Sequence, residues 1–330
     1  MIILERDCLE FRFPDIHRNA SCSIEFQRTL RIPDDGREYP LPPGLGRFPL
    51  RHLDDHAAHL PQAWRRRGGV IAPMHQAEAL WINFDARYPF AVKVATGKVC
   101  AITGGAWTDH LNRDPQDYAA LPEQPWLDGY CVEKGVIRQF VAMPLGAGYT
   151  VEEQLCGAAE HGGLQIVAYP MKRERYEALA ARHASIEDVS EDFVMLQSPG
   201  MGLAPGGRMK QDIYADPHDF DAWDQRRASR CFVTVVNALQ WLAITGDRPP
   251  TRPPSARTYA ETGLPWFDHY AGDAEALAGA GRFKEVASVA QLAKQRGEAP
   301  LPENETAETA NVVVVGQDGT RLVRESWGTA

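Results

Sequence analysis

Two similar hexapeptides, Gln139-Phe-Val-Ala-Met-Pro144 and Gln165-Ile-Val-Ala-Tyr-Pro170, stand 26 residues apart in the middle of the chain. Each is a short apolar run that ends in proline, which is typical of a buried β-strand. Between them lie the glycine turn Leu145-Gly-Ala-Gly-Tyr-Thr150 and a short helix that Thr150 and Glu153 open as a capping box. This order predicts either a crossover between parallel strands or a helix lying on an antiparallel sheet.

The flanking sequence also favours short strands. Leu9-Glu-Phe-Arg-Phe13 and Cys22-Ser-Ile-Glu-Phe26 alternate apolar and polar residues, as half-buried strands do. Residues 90–95 and 99–102, joined through Thr96-Gly97-Lys98, predict a hairpin. Residues 231–244 begin as a strand and are ambiguous after Asn237. A final strand is expected at residues 311–315.

Helical patterns are fewer and short. A helix is expected from Leu50 to Arg66, with an interruption at Pro61. A second is expected from Met171 to His183. A third spans Ala274 to Arg296 and is broken near two glycines.

These patterns predict an α+β fold with one or two mainly antiparallel sheets, short packing helices and long Pro/Gly-rich connections. The chain has 330 residues, enough for one large domain or two modest ones. We favour one compact unit over residues 1–330. The alternative is a division into 1–196 and 209–330, joined by the Pro/Gly-rich segment 197–208.

Composition and charge exclude several classes of function. The formal net charge of −9 disfavours nucleic-acid binding, because an acidic surface repels phosphate backbones. No apolar run approaches the roughly 18 residues of a membrane span, and no export signal follows Met1. The six cysteines are scattered without a C-x-x-C pair, as in proteins with free thiols. We therefore expect a soluble, cytoplasmic protein that binds neither nucleic acid nor membrane.

Three histidines and an aspartate, the histidine stripe, form a candidate metal site. His52, Asp55, His56 and His59 would share one face of the expected helix, where histidines four residues apart can ligate one ion. That face points away from the apolar one, however, and a single straight helix cannot close a tetrahedral site. The pattern is typical of a solvated face, so no metal site is assigned.

Candidate catalytic groups lie shortly before the first hexapeptide and between the two hexapeptides. Cys131 or Cys156 with His161 would form a thiolate–imidazole pair, and the glycines after His161 would offer backbone N–H groups to an oxyanion. Asp128 beside Trp126 is a carboxylate against an apolar ring, which raises the pKa of an acid. The candidate catalytic residues are Asp128, Cys131 and His161.

Aromatic residues beside polar ones recur along the chain and predict walls of a ligand pocket. The clearest is Trp266-Phe-Asp-His-Tyr270. The glycine turn at 145–150 lacks both the P-loop lysine and the third glycine of a dinucleotide fingerprint, so it is interpreted as structural. The candidate ligand-binding residues are Trp81, Trp126, Glu160, Trp266, Asp268 and His269.

Six segments stand out by their composition: RTLRIPDDG at 28–36, LPPGLG at 41–46, PWLDG at 125–129, RQFVAMPLG at 138–146, GYTVE at 148–152 and GLPWF at 263–267. With these segments the chain resembles a family of uncharacterised, mainly bacterial proteins of similar length. The resemblance covers nearly the whole chain and implies one integrated architecture, but no activity, cofactor or catalytic residue.

Two functions follow as hypotheses. The first is a ligand- or partner-binding protein, since no recognisable catalytic constellation is present. The alternative is a hydrolase or transferase that uses an Asp or Cys with His161 in an aromatic, glycine-lined pocket. The cofactor, the partner and the oligomeric state are left unassigned. A deep pocket that joins Trp126, Asp128, Cys131 and His161 would favour the enzyme.

Overall fold

The fold was analysed in a computed structural model that describes residues 1–158, 160–183, 200–269 and 275–315. Most of its regular structure is β. The strands β1 to β19 are, in order, Ile2–Glu5, Cys8–Arg12, Ser21–Thr29, Glu38–Tyr39, Gly44–Arg47, Arg51–His52, Val70–Pro73, Ala79–Asp85, Phe90–Thr96, Val99–Cys100, Ala119–Leu121, Trp126–Leu127, Gly129–Glu133, Val136–Met143, Leu164–Pro170, Gly200–Lys210, Ser229–Val236, Trp266–His269 and Val312–Val315.

The helices are short. Helices α1 to α6 are Gln62–Arg67, Val151–Cys156, Arg173–His183, Ala238–Thr245, Ala256–Glu261 and Val289–Gln295. Single 3₁₀ turns lie at Asp54–His59, Phe220–Ala222, Gly281–Lys284 and Pro302–Asn304. The mainly antiparallel pairing and the short helices of the sequence prediction are confirmed, and the β content is high.

Two groups of strands meet along β16. In the first, β1, β2, β3 and β8 pair in that order, β8 continues onto β12 and β14, and β14 pairs with β13 and β16. In the second, β9 pairs with β10, β11 and β15, and β15 pairs with β17. The first residues of β16 pair with β17 and the rest with β14, so this strand belongs to both groups. Among the described pairings only β16–β4, β17–β7 and β18–β19 are parallel.

Strand register separates a core face from an outer face in the first group. Phe26 opposes Ile82, and Ile82 opposes Leu127; all three are fully buried in the main hydrophobic cluster. The alternate residues of the same strands therefore point outward. Asn83 and Trp126 form one such outward pair. The outer face is where the candidate site lies.

The central unit of the sequence analysis is present as strand β14, a glycine turn, helix α2 and strand β15. The two strands do not pair with each other in the described residues, so the crossover between parallel neighbours is wrong. Each joins a different group through antiparallel pairs, and α2 packs against β10 and β16, as in the expected arrangement of a helix on an antiparallel sheet. The capping box at Thr150 and Glu153 is confirmed. The Glu153 carboxylate also accepts the N–H groups of Gly146 and Gly148, both at 2.8 Å. The glycine turn thus holds the chain's own carboxylate and is structural.

The expected helix from Leu50 to Arg66 is wrong. The segment forms the short strand β6, a 3₁₀ turn at Asp54–His59 and then α1, which begins after Pro61. Proline cannot lie inside a helix without removing a hydrogen bond, so it starts a new element instead. Because His52 lies in a strand and a 3₁₀ turn has three residues per turn, the histidine stripe does not form. The His59 side chain lies outside the described residues.

The Pro/Gly-rich linker expected at 197–208 is replaced by strand β16 from residue 200 onward; residues 197–199 lie outside the described part. Its glycines serve close packing rather than flexibility. A Cβ on Gly207 would lie 2.3 Å from the Pro33 carbonyl oxygen, and one on Gly206 would lie 2.5 Å from Val141. The register shifts at this point, where Gly206 and Gly207 bulge opposite Gln139. The number of domains stays a prediction.

The hairpin β9–β10, the helix α3 and the strand β19 are confirmed. Asn237 caps α4, which settles the ambiguity after β17. Of the helix expected at residues 274–296, residue 274 lies outside the described part; the rest holds a 3₁₀ turn at Gly281–Lys284 and then α6, which Ser288 caps. Within the described ranges, no helix is long and apolar enough to span a bilayer.

Candidate functional site

A cleft of about 360 Å³ opens on the outer face, where β12, the β13–β14 turn, the end of β16 and β18 come together. This volume is within the range of small-molecule sites in proteins, about 300–1,000 Å³. Trp126 and His269, whose rings are in contact, line it together with Lys134, Asp212 and Tyr214. We call this cavity the Trp126 cleft.

The backbone of Trp126 is held by two buried glutamines. The Trp126 carbonyl oxygen accepts from Gln124 Nε2 at 2.8 Å and from Gln211 Nε2 at 3.2 Å. Each amide uses its oxygen as well: Gln124 Oε1 accepts from Tyr214 N–H, and Gln211 Oε1 accepts from Asp128 N–H. Both glutamines therefore act as fixed struts between β12 and the end of β16.

The indole of Trp126 is held by a buried carboxylate. Its Nε1 donates to Asp128 Oδ2 at 2.5 Å, and Asp128 is 3% exposed. Burial raises the pKa of the Asp128 carboxyl to about 7, and the hydrogen bond from Trp126 opposes that rise. Asp128 does not line the cleft; it holds the residue that does.

His269 reaches the cleft on β18. This strand is placed by backbone bonds between Leu41 and Phe267, in both directions, at 2.7 and 2.9 Å. The imidazole meets the Trp126 indole edge-to-face, with ring centroids 4.6 Å apart. Burial lowers the pKa of His269, which favours the neutral ring near pH 7. The wall is thus aromatic and uncharged.

Charges surround the cleft mouth. Lys210 and Asp268 form an exposed ion pair at 3.7 Å, and Glu38 pairs with Arg208 at 3.0 Å. Exposed pairs of this kind stabilise a protein by about 0–1 kcal/mol, so these two contribute little to the stability of the fold.

Three of the six predicted ligand-binding residues, Trp126, Asp268 and His269, meet in the cleft although they are distant in sequence. Trp81 lies on the outer face as well, but it packs beneath Gly44. Trp266 is 1% exposed and packs between Tyr39 and Tyr259 as a core residue. Glu160 lies elsewhere on the surface.

The predicted catalytic residues do not come together. His161 lies beside Glu152, with Nδ1 3.3 Å from a carboxylate oxygen, and its other ion-pair neighbour is Glu160. Neither Asp128 nor Cys131 is among the described hydrogen-bond or ion-pair partners of His161. Burial raises the pKa of the Cys131 thiol to about 12, which keeps it protonated and weakly nucleophilic near neutral pH.

The role of Glu152 explains the position of His161. Glu152 is 3% exposed, and its carboxylate accepts hydrogen bonds from the backbone N–H groups of His161 and Gly162, at 3.3 and 2.8 Å. Arg67 donates to the carbonyl of His161 from α1. The loop around His161 is therefore anchored by structural contacts, and burial lowers the pKa of its imidazole.

A second charged cluster lies at the end of β3. Arg28 Nε donates to Glu78 Oε1 at 2.7 Å, and the side chains are 7% and 0% exposed. Burial raises the pKa of Glu78 to about 7. Nearby, Arg31 is 2% exposed; its Nη2 bonds to Asn304, while its Nε and Nη1 have no acceptor. Burial lowers the pKa of Arg31 to about 10.

Sequence reasoning missed Gln124, Gln211, Lys134, Asp212 and Tyr214. No motif marks them, and the one available signal was the glutamine two residues before Trp126. In the described part of the chain, no group of three or more His, Cys, Asp or Glu side chains is arranged to hold a metal ion.

The cleft therefore has a fixed aromatic wall, a neutral imidazole and a polar rim, which suit non-covalent binding of a small molecule. The family resemblance seen in the sequence stays a prediction. No protein-family profile, no curated protein and no solved structure matches the chain significantly.

Proposed function

We propose that this protein binds a small polar molecule in the Trp126 cleft. The observation that carries the proposal is the fixation of Trp126, whose carbonyl and indole are held by Gln124, Gln211 and Asp128. Three hydrogen bonds on one residue that remains half-buried are more than strand pairing requires.

Preorganisation supports binding because a wall that is already fixed loses little conformational entropy when a ligand arrives. An immobilised side chain otherwise costs about 0.5–1.5 kcal/mol on association. The indole and the imidazole supply apolar contact area, while Lys134, Asp212 and Tyr214 supply polar groups. This combination of apolar walls and few polar groups is typical of ligand sites.

The proposal is tested by a thermal-shift screen against a panel of metabolites, with two matched histidine variants. His269→Ala removes one wall of the cleft, and His110→Ala removes an exposed imidazole outside it. A compound at 100 times its Kd stabilises the fold by about 2.7 kcal/mol. We expect active compounds to shift the melting temperature of the wild type and of His110→Ala, and to lose most of that shift in His269→Ala.

Compounds that stabilise His269→Ala as much as the wild type bind outside the cleft and contradict the proposal. Turnover of an active compound, followed by mass spectrometry, would show instead that the site is catalytic.

A further inference from the structure

We infer that the ligand of the Trp126 cleft is a zwitterion of the α-amino-acid class with an apolar side chain. The inference rests on the proposed binding function and specifies its ligand. It follows from the charges in the cleft that have no partner.

Two residues of opposite charge that line the cleft have no described partner. Among the described residues, Lys134 and Asp212 have no side-chain hydrogen bond and no ion pair within 4 Å, whereas Lys210, Asp268 and Glu38 are paired. Lys134 is carried by the β13–β14 turn. The carboxylate of Asp212 lies against that same turn, 3.5 Å from the position of a Cβ on Gly135.

An α-amino acid presents its ammonium and carboxylate groups on one carbon, so it matches two neighbouring charges of opposite sign. The ammonium would face Asp212 and the carboxylate Lys134. Tyr214 also lines the cleft; its hydroxyl has no described protein partner, and burial, followed by the charge of Asp212, raises the pKa of its phenol. The protonated hydroxyl is a further donor for the carboxylate.

The rest of the cleft suits an apolar side chain. The Trp126 indole and the neutral His269 ring form an aromatic wall of the cleft. Aromatic faces accept flat or branched apolar groups by dispersion and burial of area. The volume of about 360 Å³ leaves room for a single amino acid.

Other ligand classes match less well. A sugar needs several free amide or carboxylate groups, but both ends of Gln124 and of Gln211 are already used by the protein. A phosphorylated compound favours a cluster of cations or a bidentate arginine. Within the described lining of the cleft, Lys134 is the one cation without an ion pair.

The experiment is isothermal titration calorimetry of the whole chain with L-phenylalanine, L-leucine, L-phenylalanine methyl ester, N-acetyl-L-phenylalanine, D-glucose and inorganic phosphate. Lys134→Met and Asp212→Asn are the variants, and both change groups without described hydrogen bonds. We expect L-phenylalanine or L-leucine to bind the wild type, and each variant to weaken that binding about tenfold, which corresponds to about 1.4 kcal/mol.

The derivatives separate the two charges. The methyl ester lacks the carboxylate, so Lys134→Met should leave its affinity unchanged. N-acetyl-L-phenylalanine lacks the ammonium, so Asp212→Asn should not weaken it. Amino acids that bind both variants as tightly as the wild type overturn the inference.

Failure of the inference and failure of the binding function give different results. If glucose or phosphate binds in a way that His269→Ala abolishes, while amino acids do not bind, the inference is wrong and the binding function stands. If no class of compound binds in a way that depends on His269, the binding function is wrong as well.

Discussion

The indole Nε1 of Trp126 donates a 2.5 Å hydrogen bond to Asp128, a carboxylate two residues further along the chain and 3% exposed. The two residues flank Leu127, which points into the core. A wall of the cleft is therefore hydrogen-bonded directly to a buried ionisable group. Protonation of Asp128 changes the hydrogen bond that holds the Trp126 indole.

The first prediction concerns the pH dependence of stability. The pKa of Asp128 is raised by burial to about 7, whereas an unfolded chain has an Asp pKa of about 3.9. Between these values the folded state holds a proton that the unfolded state has lost, so the free energy of unfolding falls as pH rises. The contribution of the Asp128 proton to the free energy of unfolding is complete below about pH 4 and lost by about pH 7.

Asp128→Asn keeps an oxygen acceptor for Trp126 but cannot ionise. We expect the difference in unfolding free energy, variant minus wild type, to rise by about 1.4 kcal/mol per pH unit from about pH 4.5 to 6.5. Urea unfolding at several pH values measures it. Parallel profiles for the two proteins would show that Asp128 does not titrate in this range.

The second prediction concerns the glutamine struts. Gln124→Met removes one buried acceptor and one donor, so the Tyr214 N–H loses its acceptor and the Trp126 carbonyl loses one of its two glutamine donors. We expect a loss of about 2–4 kcal/mol in unfolding free energy, since an unsatisfied buried polar group costs about 1–3 kcal/mol. Gln240→Met on the exposed face of α4 is the control and should change stability by less than about 0.5 kcal/mol. Equal effects of the two substitutions would contradict the strut role.

The third prediction separates two buried arginines. Arg28→Met leaves Glu78 buried without its partner and should cost about 3–5 kcal/mol. Arg31→Met removes a guanidinium with two nitrogens that lack acceptors, so it should cost less than about 1 kcal/mol or stabilise the fold. The double variant Arg28→Met/Glu78→Gln should recover much of the first loss. Denaturant unfolding measures the free energy of unfolding of each variant. If Arg31→Met lowers it as much as Arg28→Met does, the prediction is contradicted.

The fourth prediction tests the strand that replaces the expected linker. Gly207→Ala would place a Cβ 2.3 Å from the Pro33 carbonyl oxygen, so we expect destabilisation of about 1–3 kcal/mol from overpacking. Gly281→Ala meets nothing within 4 Å and serves as the control. A true flexible linker would tolerate both substitutions, so equal melting temperatures would restore the linker interpretation.

Local sequence patterns predicted the local elements of this fold. The capping box at Thr150 and the hairpin after Phe90 depend on residues a few positions apart, and both are present. Proline and glycine were less informative, because their effect depends on the tertiary neighbour. Gly207 is a glycine because Pro33 approaches it, and nothing in the local sequence marks that approach.

The cleft could be predicted only in part, because some of its contacts are local in sequence and others are long-range. Trp126 and Asp128 share one face of an extended strand, so their contact follows from a spacing of two. The meeting of Trp126 with His269 depends on the docking of β18 against Leu41, a long-range contact without a sequence motif. The pairing of His161 with Asp128 or Cys131 failed because Glu152 binds the backbone at His161. No sequence pattern distinguishes Lys134 and Asp212 from the paired charges of the cleft, because the pairs Lys210–Asp268 and Arg208–Glu38 depend on contacts between distant segments.

The most direct test of the binding site is the indole N–H signal of Trp126 in an ¹H–¹⁵N correlation spectrum, assigned by its disappearance in Trp126→Phe. Addition of a compound active in the thermal-shift screen should move this signal and leave that of Trp241, which packs in a separate hydrophobic cluster, in place. Movement of the Trp241 signal with the Trp126 signal unchanged would contradict binding in the cleft.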